Sequence, residues 1–157
     1  MRVVLDRDAR LPTGSSLVTT IHEAPLLVIH RELANAPRVV HARVEALHAI
    51  GVPTHGMGES SGSERLDLRA TLSWLRASHH ANTVLLEAGP TLLISAFSRG
   101  LVDQAVVYVP GRHARDSAIG GPAIHALRAS GDWICAQCRI VACDTEITLI
   151  RRDRLEP

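Results

Sequence analysis

Short apolar runs and helical periods alternate along this chain, and their order predicts its elements. Arg2–Asp6 (RVVLD) reads as a short buried strand, and the cluster Leu11–Ser16 (LPTGSS) as a turn. Ala24–His30 (APLLVIH) is a second apolar strand. From Pro37 the period changes. Val40, Val44, Leu47 and Ile50 recur at helical spacing, with Pro37 in a first-turn position and Gly51 at the stop. Val52–His55 (VPTH) reads as a brief strand, and Gly56–Glu64 (GMGESSGSE) as a polar loop. Leu68, Leu72 and Leu75 mark a second amphipathic helix ending near Ser78–Asn82. Thr83–Glu87 (TVLLE) is predicted as a further strand, Pro90–Arg99 as a helix closed by Gly100, and Asp103–Val109 as the next strand. Pro110–Ala123 is a long loop, and two β-rich stretches, Trp133–Ala142 and Glu146–Arg151, end the chain.

That order predicts an α/β fold. A largely parallel sheet is flanked by helices, and antiparallel strands are added C-terminally. The 157 residues suit one domain, and 46% hydrophobic content supplies its core. Aromatics are only 3%, so that core is aliphatic. The balance of 17 basic and 16 acidic residues leaves +1, with no basic stripe interleaved with aromatics, which argues against a nucleic-acid partner. No apolar run approaches the roughly 18 residues of a membrane span. Asp6 and Asp8 interrupt the start before a signal-peptide apolar region could form. Three cysteines, an odd number, fit a reducing compartment, so the expected location is cytoplasmic.

The most informative place is Val84–Leu93 (VLLEAGPTLL), where an apolar run ends in Glu87 against a Gly-Pro joint. In open α/β sheets ligands bind beyond the carboxyl ends of the strands. Gly89 lets a ligand approach the backbone closely. Pro90 opens a helix whose free N–H groups and positive dipole end suit a phosphate. The segment could therefore hold a dinucleotide phosphate on Gly89, Pro90, Thr91 and Leu92 and a polar ring on Glu87. An ordinary strand-to-helix turn with a solvated Glu is the other reading.

These residues carry a resemblance. Glu87-Ala88-Gly89-Pro90-Thr91-Leu92, followed by Gly100-Leu101-Val102-Asp103, closely resembles the reductase domain of bacterial riboflavin biosynthesis. RVVLD with the following Arg10-Leu11-Pro12 is similar to that family's strand Arg-Val-Val-Leu-Asp-Ser and its Arg-Leu-Pro. The resemblance runs from Arg2 to about Val109 and continues loosely through the C-terminal strands. It implies a dihydrofolate-reductase-like fold and NADPH as hydride donor. The implied substrate is 5-amino-6-(5-phosphoribosylamino)uracil, whose ribose is reduced to a ribityl chain. By position, Glu87 would contact the substrate, and Gly89, Pro90, Thr91, Leu92, Leu93, Ile94 and Ser95 would line the cofactor site. A carboxylate is a good acceptor for pyrimidine N–H groups, and a helix N-terminus a good seat for a pyrophosphate.

Two departures stand out. Where the family has Ser after Val-Val-Leu-Asp, this chain has Arg7. An arginine there could pair with the 2′-phosphate of NADPH, or it is a solvated surface residue. The family also carries a front lobe before that strand, with further site residues, which this sequence does not show. The expectation is therefore a fold lacking its front strands. A homodimer or a partner chain would cover the exposed strand edges. A non-catalytic nucleotide-binding or dimerisation module derived from the same domain is the alternative function. The zinc deaminase motif that often accompanies the family is missing from the sequence. Arg112 falls at a family Lys position in the loop after the Asp103–Val109 strand, although His113 and Arg115 depart from the pattern and a solvated basic loop is the plainer reading.

Other motifs carry less. Cys135 and Cys138 form C-x-x-C within an expected strand, where positions i and i+3 point to opposite faces, so a metal site is not expected. The nine histidines show no helical metal pair, and His79 and His80 suit a helix C-terminus. GMGESSG lacks the strand–turn–helix context of a dinucleotide fingerprint.

Overall fold

The computed structural model describes residues 1–59, 65–110 and 131–154. The chain divides into two compact units, residues 1–85 and 86–157.

In the first unit, β1 (Arg2–Leu5), β2 (Leu26–Arg31) and β3 (Thr54–Met57) form a parallel sheet in the order β1-β2-β3. Val28 of β2 pairs with Val4 of β1 and Thr54 of β3. As the central strand, β2 is buried at every position from Leu26 to His30, which is why its sequence is an unbroken apolar run rather than an alternation. Its side chains divide by period two. Leu26 and Val28 pack on one face with Val40, Val44 and Leu47 of α2 (Arg38–Ala49). Leu27 and Ile29 pack on the other with Met57 and with Leu75 of α3 (Leu68–His79). The sheet is thus covered on both faces. A short α1 (Ser16–Thr19) follows the region expected as a turn, sharing only Ser16 with it, and its Val18 joins the α2 side of the core. The guanidinium of Arg2 braces the β1 entry by donating to Thr20 Oγ1 and to the carbonyls of Thr20 and Ala24.

Helix ends follow local chemistry. Pro37 is the residue just before α2, and Gly51, at φ 80°, closes it through Gly51 N→His48 O and Val52 N→Leu47 O bonds of 2.9 and 3.0 Å. Asp67 caps α3, its carboxylate accepting from Arg69 N at 2.9 Å and Ala70 N at 3.2 Å. Asp67→Ala is expected to lower stability by about 1 kcal/mol, read as a shift in urea midpoint with an unchanged slope.

The second unit holds α4 (Pro90–Ser98) and an antiparallel sheet of β4 (Gln104–Pro110), β5 (Trp133–Val141) and β6 (Asp144–Arg151) in the order β4-β6-β5. The central strand β6 supplies Ile147 and Leu149 to a core with Val109, Trp133 and Phe97 of α4. On the opposite face a cross-strand triad forms. Glu146 accepts from Tyr108 Oη at 2.8 Å and from Arg139 Nε and Nη2 at 2.7 and 3.0 Å. The Arg139 bonds first, then the Tyr108 hydroxyl, hold the Glu146 carboxyl below the usual range.

The parallel strands, the covering helices and the antiparallel C-terminal strands are those the sequence implied. One expected element differs. Thr83–Glu87 belongs to no helix or strand, and Leu85 within it is 81% exposed. Apolar side chains make a strand only where a sheet edge offers the backbone partners, and this segment pairs with none of the described strands.

Candidate functional site

α4 begins where the sequence placed it. Gly89 is its N-cap at φ −66° and Pro90 its first residue, so the glycine is not required by backbone strain. A Cβ built on Gly89 would meet nothing within 4 Å, which leaves the helix start open to a ligand. The carbonyl of Gly89 accepts from both Leu92 N and Leu93 N at 3.2 Å. Among the described residues the Gly89 and Thr91 N–H groups have no partner, so these two, rather than that of Leu92, face the dipole's positive end as available donors. Thr91 and Ile94 are exposed; Leu92, Leu93 and Ser95 are half-buried along the helix. Ser95 is engaged through its carbonyl, which accepts from Arg99 N and Ser98 Oγ.

Glu87 lies two residues before the cap, exposed, with no hydrogen-bonding or charged partner among the described residues. The structure thus gathers Glu87 and Gly89–Ser95 on one turn and helix. This donor set, open N–H groups beside an unengaged carboxylate, fits a phosphate at the helix start and an N–H-bearing ring at the carboxylate. The helix closes at Gly100, whose φ is 64°. Gly100 N→Phe97 O and Leu101 N→Ala96 O bonds of 3.0 Å seal it, and a Cβ there would meet Arg151 Nη1 at 3.0 Å.

Arg7 belongs to the first unit, just past the carboxyl end of β1. It is half-buried and ion-paired: Nε donates to Glu59 Oε1 at 2.7 Å, and Nη1 lies 3.6 Å from Asp8. Arg31, at the end of β2, donates to the same Glu59 oxygen at 2.8 Å. These arginines open on a cleft of about 510 Å³ that Arg10 and Arg43 also line. Reading the sequence for motifs passed over Arg31 and Arg43, because they approach Arg7 only when β2 and α2 are in place.

The same unit holds a histidine relay that no motif announced. His30 Nδ1 lies 2.6 Å from Arg31 O, and its Nε2 lies 3.2 Å from Thr54 Oγ1, which in turn lies 2.8 Å from His48 Nε2. Burial, then His48, lowers the His30 pKa, with Asp6 opposing. His55 is also lowered, first by burial, and stacks on Trp74 at 3.7 Å.

Cys135 and Cys138 correct the sequence expectation of opposite faces. A register shift between Cys135 and Gln137 sets Cys135 opposite Leu149 and Cys138 opposite Ile147, two positions apart on β6, so both thiols share a face. Both are free and exposed, and among the described residues no group of three or more His, Cys, Asp or Glu is placed to hold a metal. Arg112, His113 and Arg115 lie outside the described residues. Among the described residues no helix is long and apolar enough to cross a membrane.

The fold is shared with a solved structure, that of a pyrimidine reductase-like protein from Corynebacterium diphtheriae, at a TM-score of 0.65 and 18% identity. That match covers 95% of this chain and 59% of the other, so this chain spans less than two thirds of its relative's length. No curated protein sequence matches. The family described as the RibD C-terminal domain matches residues 1–132, a span that takes in both β1 with Arg7 and the Glu87–Ser95 turn and helix. With the mixed parallel and antiparallel architecture beside it, that match settles the chain's place: it belongs to the RibD C-terminal domain family.

Proposed function

We propose that the chain is an NADPH-dependent reductase domain acting on 5-amino-6-(5-phosphoribosylamino)uracil. The observation that carries this reading is the turn into α4, where open Gly89 and Thr91 N–H groups stand beside an unengaged Glu87. Bound NADPH would supply the hydride. The chain's own part is to seat the pyrophosphate on Gly89–Leu92, line the nicotinamide arm with residues among Leu93, Ile94 and Ser95, and accept the pyrimidine N–H groups on Glu87. In this reading the protein works in the cytoplasm as a homodimer, or with a partner chain that completes the site. Exposed Val106 and Tyr108 on the β4 face are apolar surface that such a contact would cover.

Calorimetry with NADPH on the full chain tests this. Gly89→Val is a clean probe, since its Cβ meets no protein atom and its φ is ordinary. It is expected to weaken NADPH binding by at least about tenfold by blocking close approach, while Glu87→Gln leaves NADPH affinity intact and lowers kcat/KM for the pyrimidine by about tenfold or more. NADPH affinity indifferent to Gly89→Val would overturn the placement.

A second reading is a non-catalytic nucleotide-binding or dimerisation module. It is favoured by the exposure of Leu85 in a segment outside any sheet. Cofactor binding without turnover of the pyrimidine, in a chain shown to be dimeric by sedimentation, would support it.

A further inference from the structure

Two cysteines three residues apart in a regular strand face opposite ways, and β5 is not regular. Ala136 is the extra residue of its bulge: Cys135 pairs with Leu149, Gln137 with Thr148 and Cys138 with Ile147. Cross-strand partners share a face, so both thiols stand on the face of β6 that carries Ile147 and Leu149. The register leaves them two positions apart, roughly 7 Å along the strand. The Cys135 sulfur already leans toward its neighbour. It lies 3.5 Å from Gln137 O, the carbonyl of the peptide bond that leads into Cys138.

Both thiols are open to solvent. β5 is an edge of its sheet, and Phe97 of α4 meets this face at the Trp133 end, with ring centroids 5.5 Å apart. Beyond Trp133 the same face carries exposed Cys135, Cys138 and Ile140. The pair thus sits on a shelf with aliphatic Leu149 and Ile147 beside it and water in front.

Those dimensions decide what two thiols can do. A disulfide has an S–S bond of about 2.05 Å and asks for Cβ atoms roughly 3.5–4.5 Å apart, well short of two strand positions. An ion between two opposed sulfurs holds them about 4.6 Å apart, taking roughly 2.3 Å for each metal–thiolate bond. Each sulfur swings about its own Cβ, which brings the longer span within reach. Zinc asks for four ligands, and among the described residues no third His, Cys, Asp or Glu joins the pair. A soft monovalent ion is content with two sulfurs, and thiolates select Cu(I) over the hard cations.

We infer that Cys135 and Cys138 form a two-sulfur site for a soft monovalent metal ion of the Cu(I) class. Each sulfur gives up its proton to solvent as the ion binds: two S–H bonds break, two metal–sulfur bonds form, and no electron is transferred. The site stands apart from the proposed reductase function and does not rest on it.

The test is anaerobic titration of the full chain with Cu(I), supplied as its acetonitrile complex in competition with a chromogenic Cu(I) chelator. One ion per chain is expected. Of the three free thiols, a thiol reagent should then reach only Cys143. Cys135→Ser and Cys138→Ser are each expected to weaken binding by at least about a hundredfold, because the second linked ligand is lost, and Cys143→Ser to leave it unchanged. All three positions are exposed, so these variants should keep the far-UV circular dichroism of the parent chain. Deleting Ala136 turns C-x-x-C into C-x-C but keeps both cysteines opposite their β6 partners, and the folded deletion variant is expected to retain the ion. Full affinity in Cys135→Ser or Cys138→Ser, loss of affinity in Cys143→Ser, or one ion shared between two chains in sedimentation would overturn the inference. So would zinc held as tightly as Cu(I), which would require further ligands. A Cys135–Cys138 disulfide formed with oxidised glutathione in a chain that takes up no Cu(I) would make the pair a redox couple instead.

Discussion

Ile29→Ala is expected to destabilise the first unit by about 2–5 kcal/mol. Ile29 is the fourth apolar residue of a central parallel strand and has 0% of its surface exposed. It packs with Leu27, Met57 and Leu75, so α3, β2 and β3 all lose contact when its side chain is cut back to a methyl. A strand bonded on both edges cannot shift to refill the space, so the cavity term adds to the lost transfer energy. Trp74 borders the same cluster, and its fluorescence, with far-UV circular dichroism, follows urea unfolding at the site of the change. Ile29→Val should cost only about 0.5–1.5 kcal/mol, and Leu85→Ala, at an 81% exposed position, within about 0.5 kcal/mol. Equal losses for Ile29→Ala and Leu85→Ala would mean that β2 is not the centre of this core.

The contrast between Ile29 and Leu85 also shows how far the sequence could be read. Both sit in apolar runs bounded by polar residues, and both runs were expected to be strands. β2 became one because β1 and β3 flank it and α2 and α3 cover it, and its unbroken apolar pattern is the signature of such a position. The Val84–Leu86 run carries the same signature without the partners. Local pattern states a demand for burial, and only tertiary pairing shows whether it is met. Features set by single residues fared better. Gly51 and Gly100 end their helices in the left-handed region, and Pro90 opens α4, because those positions depend on φ alone. The Cys135–Cys138 spacing misled for a related reason. An extra residue between them, absorbed by a bulge, reverses the face of everything after it, and nothing in C-x-x-C announces a bulge. Of the candidate site, the Glu87–Ser95 part was legible because it is one contiguous turn and helix. The arginine cleft was not, since Arg7, Arg10, Arg31 and Arg43 come from three separate segments that only the fold brings together.

The histidine relay sets the second large effect, a loss of stability on mild acidification. The hydrogen-bond pattern assigns its protons. Arg31 O is an acceptor, so His30 Nδ1 carries the hydrogen and Nε2 is left to accept from the Thr54 hydroxyl. The Thr54 oxygen then accepts from His48 Nε2–H. Protonating His30 would set a second N–H against the Thr54 hydroxyl at a site only 3% exposed. Burial and the nearby His48 act in the same direction, so the folded pKa of His30 lies below its ordinary 6.5. Above pH 6.5 the imidazole is neutral in both states and the full stability is present. As pH falls below 6.5 the unfolded chain takes the proton first. Stability is then lost down through the folded pKa, at up to about 1.4 kcal/mol per pH unit for one proton. His55, lowered chiefly by burial, adds to the loss in the same window. Urea midpoints measured from pH 8 to pH 5 should therefore fall, and His30→Gln, which can keep a donor and an acceptor in place without titrating, should flatten the curve by one proton's worth. Thr54→Val should cost about 1–3 kcal/mol at pH 8, where it strands the buried His30 Nε2 without a donor. If the His30→Gln curve ran parallel to that of the unaltered protein across the whole range, the proton uptake would belong to His55 or another group, and the relay would be a structural bond network with no part in the acid response.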